Sequence, residues 1–310
     1  MQKNGAVEFT SYITPDGEEY QFDTNVRFLL SEEGLGMPGI EYITQKGPFQ
    51  HGETLIDFRL SPRIIQMLIR NNGCSRDEYW ANRRLMMNML RPNRQLTGSM
   101  SPGVLRKKFS DGSVRDIQVL VESGPVFSAK NLNSWDEWGI QESIRFVAFD
   151  PTFYDPVIKS VNSGNVVVSD PNNWVLSFSF AMIFGTSLVI SLSSVTYNGT
   201  WSSFPTITLE GPMNNFSIQN SSTGELIEYT RNILAGEIVV ISLEFGNKTV
   251  TDGTGNNLIG FISPESDLET FHIAPDPEVP GGVNDIYVNA VSLTIESRVT
   301  ISYYERFIGI

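Results

Sequence analysis

The chain has 310 residues with a formal net charge of −13, and 18% of its residues are charged. Its hydrophobic content of 40% and aromatic content of 11% exclude a wholly disordered chain. The single cysteine, Cys74, excludes a disulfide framework within the chain, and the two histidines leave few ligands for metal sites of His and Cys. The length corresponds to about two domains of average size.

The negative charge is concentrated in the second half of the chain. Residues 1–150 contain 17 Lys and Arg against 19 Asp and Glu, whereas residues 151–310 contain 5 against 16. This change in composition indicates two separate units that meet near residue 150. The acidic second half argues against nucleic-acid binding there, because phosphate contacts require clustered Lys and Arg.

We find in the sequence neither a secretory signal nor a membrane-spanning segment. Residues 1–17 contain no apolar segment of the length that a secretory signal needs, so we expect no cleaved leader. The most apolar window, residues 178–189, is interrupted by Gly185 and is shorter than the ~20 residues of a membrane-spanning helix. We therefore expect no membrane span.

The stretch of residues 144–156, IRFVAFDPTFYDP, marks the junction between the two units. Its first half alternates and then becomes apolar, which is typical of a strand that enters a core. Its second half contains two Asp-Pro pairs, which prevent the strand from continuing. We interpret residues 151–156 as a linker whose two aromatic residues pack against one domain. The predicted hinge residues are Asp150, Pro151, Phe153, Tyr154, Asp155 and Pro156.

Residues 1–150 are predicted to form antiparallel sheet with one helix. Turn signals, among them an Asp-Gly pair, separate stretches with alternating apolar residues. Residues 54–61, TLIDFRLS, alternate most regularly and are predicted to form a half-buried strand. The helix is predicted over residues 75–91, because Ser75 and Glu78 have the spacing of a capping box and a proline follows the run.

From residue 159 onward the sequence contains no convincing helix. Gly, Pro and Asn turns separate short apolar stretches at the spacing typical of a β-sandwich or jelly roll. The predicted strands are residues 165–168, 174–180, 187–191, 204–209, 216–219, 225–229 and 237–243. The apolar tail within residues 291–310 is predicted to be held in a sheet or an interface.

No residue pattern indicates an enzyme or a metal site. Neither His51 nor His272 lies in a recognisable nucleophile motif, and Cys74 is interpreted as a small residue in a turn. The oxygen-rich residues 252–257, DGTGNN, have near-calcium-loop spacing, but a hairpin turn is favoured because no well-placed glutamate ends the pattern. The two Asp-Pro carboxylates are likewise interpreted as turn formers rather than a catalytic pair. We predict no catalytic residue, no cofactor and no metal.

A basic segment extends over residues 59–108. Its basic residues are Arg59, Arg63, Arg70, Arg76, Arg83, Arg84, Arg91, Arg94, Arg106, Lys107 and Lys108, against the acidic residues Asp77 and Glu78. No aromatic platform for single-stranded nucleic acid is interleaved with them. We therefore favour a contact with an acidic surface of a neighbouring copy, and keep a nucleic-acid lining as the alternative.

Several motifs together resemble the distal tail protein family of long-tailed bacteriophages. In the first half they are SRDEYWANRRLMMNMLRPNR around the predicted helix and RFVAFDPTFYDP at the junction. In the second half they are YNGTWSSFPTITLEGPMNNFSIQNSSTGE, GNNLIGFISPESDLETFHI, GGVNDIYV and the terminal ISYYERFIGI. These motifs span most of both halves, and none of them is a catalytic signature.

The resemblance implies a mainly β protein of two domains. Residues 1–150 would form a tail-tube-like antiparallel β-sandwich with one helix, which assembles into a hexameric ring. Residues 157–310 would form a peripheral galectin-like β-sandwich, or jelly roll. The helix would contribute subunit contacts through Arg76, Arg83, Arg84, Arg91 and Arg94.

The same resemblance implies a structural virion protein of the tail tip or baseplate rather than an enzyme. The ring would join the major tail-tube protein to the tail hub, tip or tail-associated lysin protein. DNA would pass through it during genome ejection without sequence-specific binding, and receptor-binding proteins for host attachment would be further partners. The protein would be made in the host cytoplasm and would reside at the distal end of the tail in the virion.

An alternative function is a carbohydrate-binding module that recognises host cell-surface glycans. Trp174 and Trp201 lie in the predicted second domain and could stack on sugar rings, although a place in the sandwich core is the simpler interpretation of such residues. A glycoside hydrolase ranks below both functions, because the sequence offers no carboxylate pair in a suitable setting.

Overall fold

The structure, a computed structural model, divides the chain into two compact units. The described residues are 8–22, 24, 27–71, 75–91, 102–126, 140–162, 188–291, 293 and 297–310. The first unit consists of Met1–Pro156 with Phe307–Ile310, and the second consists of Val157–Arg306. The chain therefore leaves the first unit once and returns to it for its last residues. Two predicted strands, residues 165–168 and 174–180, lie outside the described residues.

Strands dominate both units. The first unit contains Phe9–Ile13 (β1), Glu19–Gln21 (β2), Arg27–Glu33 (β3), Ile40–Gln45 (β4), Thr54–Leu60 (β5), Arg63–Asn71 (β6), the helix Arg76–Met89 (α1), Gly103–Lys108 (β7), Val114–Ser123 (β8), Ile140–Ala148 (β9) and Phe153–Tyr154 (β10). Then follow Lys159–Asn162 (β11), Leu188–Thr196 (β12), Thr206–Glu210 (β13), Asn214–Asn220 (β14), Glu225–Tyr229 (β15), Ile238–Ser242 (β16), Thr249–Asp252 (β17), Val283–Val291 (β18), Arg298–Tyr303 (β19) and Arg306–Phe307 (β20), with short 3-10 helices at Ile259–Phe261 and Pro280–Gly282.

One curled sheet forms the body of the first unit, in the order β2-β1-β7-β8-β9-β6-β3. In a flat sheet β1 and β9 would lie ~14 Å apart, because neighbouring strands are spaced by ~4.8 Å. The rings of Tyr12 on β1 and Phe146 on β9 nevertheless have centroids 5.3 Å apart. The sheet therefore folds over on itself, so that its two halves enclose one core as in a β-sandwich.

The described helix covers part of this core. Its residues Tyr79, Met86 and Met89 are buried and lie on one face at helical spacing. Ser75 caps the N-terminus, because its Oγ accepts a hydrogen bond from the backbone N–H of Glu78 at 3.2 Å. The prediction of one helix in a mainly β unit is confirmed, and its bounds lie inside the predicted residues.

The strands β4 and β5 form a separate two-stranded hairpin. The alternation of residues 54–61 predicted a half-buried strand, but six of the seven residues of β5 are exposed and only Leu60 is partly buried. That prediction is wrong. An alternating pattern identifies an apolar face but does not say which part of the molecule covers it, and in the structure this face is largely exposed.

The second unit is a β-sandwich of two antiparallel sheets. One sheet has the order β11-β19-β13-β16-β17, and the other has the order β12-β18-β14-β15. Ile207 and Ile241 of the first sheet and Ile218 and Ile286 of the second are fully buried in one cluster, which places the core between the sheets. The prediction of a mainly β fold with β-sandwich domains is confirmed.

The division between the units differs in two details from the predicted one. Phe307–Ile310 belong to the first unit rather than to the predicted domain of residues 157–310, because β20 pairs with β10. Residues 151–156 also belong to the first unit rather than to a linker, since Phe153 is buried in its core. Backbone pairing between segments far apart in sequence produced both differences, and local composition does not reveal such pairing.

Candidate assembly surfaces

An exposed apolar surface lies on the hairpin β4–β5. Tyr42 and Phe58 are directly opposite each other in the hairpin register and so share a face, and Ile56 stands beside them at a bulge. The exposed fractions are 61% for Tyr42, 48% for Phe58 and 58% for Ile56, and Phe49 in the connecting turn is 98% exposed. We call Tyr42, Phe49, Ile56 and Phe58 the hairpin surface.

The two faces of the hairpin differ in character. The face opposite Tyr42 and Phe58 carries Glu41 paired with Arg59, and beside them Asp57. A two-stranded hairpin without a covering layer is marginally stable in water, and contiguous exposed apolar patches mark contact sites with other molecules. The hairpin therefore has one face suited to a partner protein and one suited to solvent.

The strand β3 forms an edge of the curled sheet within the described ranges, where it pairs with β6 alone. Its Phe28 and Leu30 are exposed, and one bulge interrupts its register. Edge strands of stable proteins are normally protected by charge, proline or short length, because their free backbone groups can pair with another chain. The half of this edge that carries Phe28 and Leu30 is therefore a second surface suited to contact with another chain.

The basic segment is divided between the interior and the surface. Arg63 is buried, Arg106 pairs with Asp116 at 2.8 Å, and Lys107 pairs with Glu32. These three basic side chains stabilise the first unit itself, so they are not available for the intersubunit contact that the sequence indicated for the segment. Successive side chains on a strand point to opposite faces, and a count of charges along the chain cannot separate the two.

The predicted interface arginines occupy two environments on α1. The exposed ones are Arg76, Arg84 and Arg91. Arg83 is half-buried, with its guanidinium carbon 4.9 Å from the ring centroid of Trp80. The exposed Met87 follows Arg84 by three residues and therefore lies on the same side of the helix. Arg94 lies outside the described residues, and an interface role for all five remains a prediction.

The two carboxylates of the junction have structural partners. Oδ1 of Asp150 accepts hydrogen bonds from the backbone N–H of Thr152 at 3.2 Å and from its hydroxyl at 2.7 Å, which is a turn-forming arrangement. Oδ2 of Asp155 lies 3.8 Å from Nη1 of Arg115. Pro156 ends the first part of the first unit. Whether the junction acts as a hinge remains a prediction.

Arg63 connects the junction to the rest of the first unit. Its guanidinium is buried and donates hydrogen bonds to four backbone carbonyl groups. The acceptors are the carbonyl oxygens of Pro151 (2.7 Å), Gly34 (2.6 Å), Gly36 and Ile308 (2.5 Å). The guanidinium carbon also lies 4.8 Å from the ring centroid of Phe153. Burial lowers the pKa of Arg63 to about 10, so the side chain stays protonated at neutral pH.

The most exposed aromatic side chain among the described residues of the second unit is not one that the sequence indicated for sugar stacking. Trp201 is half-buried, and Trp174 lies outside the described residues. Phe245 is 76% exposed, and its ring centroid lies 5.7 Å from that of Phe204. The ammonium group of Lys248 lies 5.2 Å from the Phe204 ring. Sugar binding by Trp174 or Trp201 therefore remains a prediction.

His272 lies in a charged cluster of the second unit. Its Nδ1 is 2.8 Å from the carbonyl oxygen of Thr270 and 3.1 Å from Oε2 of Glu225, and its Nε2 is 2.7 Å from Oε1 of Glu278. Both nitrogens face acceptors, which imidazole satisfies fully only when both carry protons. Burial opposes the charged form, but hydrogen bonds and charge attraction, chiefly from Glu225, outweigh it and raise the pKa of His272 to about 9.

Loss of this charge should destabilise the second unit at alkaline pH. The pKa of His272 rises from 6.5 in the unfolded chain to about 9 in the folded one, so its contribution is complete below pH 6.5 and is lost as the pH rises through 9. We expect the loss to be about 2 kcal/mol, since solvent screens the partly exposed cluster. Chemical denaturation of wild type and His272→Gln between pH 6 and 10 would measure it.

The matched control for this prediction is His51→Gln, because His51 is exposed in the first unit. The difference in unfolding free energy between wild type and His272→Gln should shrink with rising pH, whereas His51→Gln should follow wild type throughout. A pH-independent difference for His272→Gln would show that the cluster contributes through packing and not through charge.

Residues 252–257 form a self-contained turn. Oδ1 of Asp252 accepts hydrogen bonds from the backbone N–H groups of Thr254 and Asn256, both at 2.9 Å, and Oδ2 accepts one from the Asn256 side chain at 2.8 Å. These bonds lower the pKa of Asp252. Its carboxylate oxygens are thus used by the turn itself. In the part of the chain that the structure describes, no group of three or more His, Cys, Asp or Glu could hold a metal ion, and no helix has the length and apolar character to cross a membrane.

The second unit matches a known family. Residues 198–307 fit the family model described as siphovirus-type tail component, C-terminal domain. The matched segment begins before β13 and ends at β20. A comparison with curated protein sequences found no significant match. Residues 198–307, which make up most of the second unit, are therefore similar to the C-terminal domain of a siphovirus-type tail component.

The fold of the whole chain is similar to that of solved tail proteins. The crystal structure of the Dit protein of phage SPP1, described as a paradigm of the hub adsorption apparatus in phages that infect Gram-positive bacteria, has a TM-score of 0.59 and 14% identity, and the alignment covers 97% of this chain and 99% of that one. A chain of the phage p2 baseplate in its activated conformation with Sr aligns over 96% of this chain and 98% of its own, with 11% identity and a TM-score of 0.46. The family match of residues 198–307, together with the fold shared with the SPP1 Dit protein, confirms the predicted resemblance to the distal tail protein family.

Proposed function

We propose that the first unit assembles into a ring that joins the tail tube to the hub of the tail tip. The observation that carries this proposal is the hairpin surface, whose four large apolar side chains are exposed on an element that stands apart from the main sheet. Burial of these side chains against a neighbouring copy would remove apolar area from water and so stabilise the assembly. The edge strand β3 would contribute a second contact.

The contacts available to the first unit favour a closed ring over an isolated pair. The hairpin surface and the outer side of α1, with Arg84 and Met87, are different surfaces of the same unit. A contact between them on neighbouring copies would be head-to-tail, and such contacts generate rings when the rotation per copy closes. Arg and Met are enriched at protein interfaces. The resemblance to distal tail proteins supports six copies.

DNA would pass through the bore of this ring without being read. Sequence-specific reading requires side chains that contact base edges, whereas phosphate contacts carry no sequence information. Residues 1–150 have nearly balanced charge, with 17 basic against 19 acidic residues, so a ring of first units would not retain phosphates strongly. Weak retention suits a conduit through which the genome must move.

The partners of the ring follow from the same family resemblance. One side of the ring would contact the major tail-tube protein, and the other would contact the hub, tip or tail-associated lysin protein. The second unit would be the peripheral domain that offers a platform for receptor-binding proteins. The protein would be made in the host cytoplasm and would reside at the distal end of the tail.

Removal of the two aromatic side chains of the hairpin surface should weaken assembly without unfolding the protein. We expect Tyr42→Ser combined with Phe58→Ser to raise the dissociation constant of the assembly by at least about 10-fold, because interfacial aromatic anchors contribute on the order of 1 to 2 kcal/mol each. Light scattering and electron microscopy of the protein, alone and with tail-tube or hub protein, would measure this. Arg84→Glu in the same assay should weaken assembly through the helix.

The matched control is Leu234→Ser in the second unit, since Leu234 is also strongly exposed and lies outside the proposed contact. This variant should assemble as wild type does. Rings formed equally well by the double hairpin variant would remove the hairpin surface from the proposal. Wild-type protein that stays monomeric even with tube and hub protein would end the proposal altogether.

A further inference from the structure

The last residues of the chain contribute a core side chain to the first unit. Phe307 is 9% exposed and lies in the same apolar cluster as Phe153. The guanidinium carbon of Arg115 lies 3.8 Å from the centroid of the Phe307 ring. The strand β20 pairs with β10, so this segment also extends the backbone pairing of the unit. The first unit therefore holds this segment by an aromatic pocket and a strand edge.

The backbone that follows Phe307 is held as well. Nη2 of Arg63 donates to the carbonyl oxygen of Ile308 at 2.5 Å, and the N–H of Ile310 donates to the carbonyl oxygen of Leu35 at 3.1 Å. The Arg63 group is buried, so it is already fixed by its bonds to other carbonyl groups of the unit. A charged donor to a carbonyl in such a setting forms a strong and directional bond.

The same contacts make the site selective for glycine at one position. A Cβ atom added to Gly309 would lie 3.0 Å from both the carbonyl carbon and the oxygen of Gly36, and 3.3 Å from the carbonyl oxygen of Leu35. These are backbone atoms, which cannot move aside as a flexible side chain could. The site therefore fits a segment with an aromatic residue followed two positions later by glycine.

We propose that the first unit carries a peptide-acceptor site, formed by Leu35, Arg63, Arg115 and Phe153, whose ligand is an aromatic–aliphatic–glycine–aliphatic segment that pairs as a strand at its aromatic residue. Its occupant in the intact chain is Phe307–Ile310, a segment that follows the entire second unit in sequence. The core of the first unit is therefore complete only after the second unit has been made and the segment has docked. Copies of the protein assemble only after this segment has docked, and this role in assembly rests on the proposed ring function.

Two substitutions in the full chain test the site, with hydrogen exchange followed by mass spectrometry. Gly309→Val blocks the close approach, and Phe307→Ala empties the aromatic pocket. Both should raise the exchange rates of β6 and β10 by about 100-fold and leave those of β13 and β16 unchanged, because only the first unit loses contacts. Ile310→Ala is the matched control, since the site holds Ile310 through its backbone N–H. Unchanged exchange in the first unit for both variants would overturn the proposal.

A peptide tests whether the site accepts its ligand from outside. The chain without residues 307–310 should regain first-unit protection when a peptide of residues 303–310 is added, and should not regain it with the same peptide carrying valine in place of Gly309. Equal rescue by both peptides, or no loss of protection on truncation, would overturn the site. If the truncated chain does not fold, the exchange rates of Gly309→Val and Phe307→Ala in the full chain decide whether the site exists.

Assembly is measured separately on the same variants by light scattering with tail-tube or hub protein. Reduced protection of the first unit from hydrogen exchange, together with lost ring formation, would support both the site and its role in assembly. Reduced protection from exchange with normal ring formation would overturn the role in assembly but would still support the site. Failure of wild type to form rings would count against the proposed function, while the exchange results of the monomer would still decide the site.

Discussion

Arg63→Met is expected to lower the free energy of unfolding of the first unit by about 3 to 5 kcal/mol, the largest effect of any single substitution considered. The substitution keeps an apolar stem of similar length but removes every donor. Four backbone carbonyl groups from three separate segments, Gly34 with Gly36, Pro151 and Ile308, would lose a charged partner in the interior. A hydrogen bond to a charged group contributes about 1.5 to 3 kcal/mol, and a buried acceptor left without a partner costs a similar amount. The structure around the substitution can relax in part, so the total loss of unfolding free energy stays below the sum of the four individual hydrogen-bond contributions.

Arg70→Met is the matched control, because Arg70 lies on the same strand β6 but is exposed. Its effect should stay within about 0.5 kcal/mol, as for most surface substitutions. Chemical denaturation combined with hydrogen exchange of β6 and β10 would measure both variants. A change of less than about 1 kcal/mol for Arg63→Met would show that water or neighbouring groups replace the guanidinium, and the central role of this residue would have to be withdrawn.

Asn284→Leu is expected to destabilise the second unit by about 3 kcal/mol. Asn284 is completely buried. Its Oδ1 accepts hydrogen bonds from the Asn220 side chain at 3.0 Å and the backbone N–H of Ala274 at 2.9 Å, and its Nδ2 donates to the carbonyl oxygens of Ala274 at 2.9 Å and Gly282 at 3.1 Å. Leucine has a similar volume and no polar atom, so the substitution isolates the cost of leaving these groups without partners.

Asn289→Leu provides the comparison for this effect, since Asn289 lies on the same strand β18 but on its other, half-buried face. We expect a change below about 1 kcal/mol for it. Differential scanning calorimetry, with hydrogen exchange to assign the transition to the second unit, would measure the difference. Equal melting temperatures for the two variants would show that the buried amide network contributes little to the stability of the sandwich.

The local elements of the fold were predictable because their signals lie close together in the sequence. Ser75 and Glu78 are three residues apart, and a cap at that spacing acts within one helical turn. The short strands of the second unit are separated by turn residues whose preferred backbone conformations are properties of the residues themselves. The end of β9 was predictable for a similar reason, since the first Asp-Pro pair interrupts the strand directly after Ala148 and Phe149.

The candidate surfaces were predictable only in part. The alternation in residues 54–61 correctly identifies an apolar face, but burial in the same chain was the wrong expectation, and only the structure shows Tyr42 and Phe58 exposed. Likewise, a count of basic residues cannot separate Arg63, which is buried, from Arg84, which faces solvent. Both distinctions depend on what packs against a side chain from elsewhere in the chain.

The sequence by itself determined the β-rich character of both units and the described α-helix, because propensity, capping and turn formation act over a few residues. Only the tertiary structure decided that the sheet of the first unit folds over on itself, that Arg63 binds four carbonyl groups, and that Phe307–Ile310 return to the first unit. Each of these depends on contacts between segments separated by tens to hundreds of residues, and no local pattern records which distant partner will bury a given face.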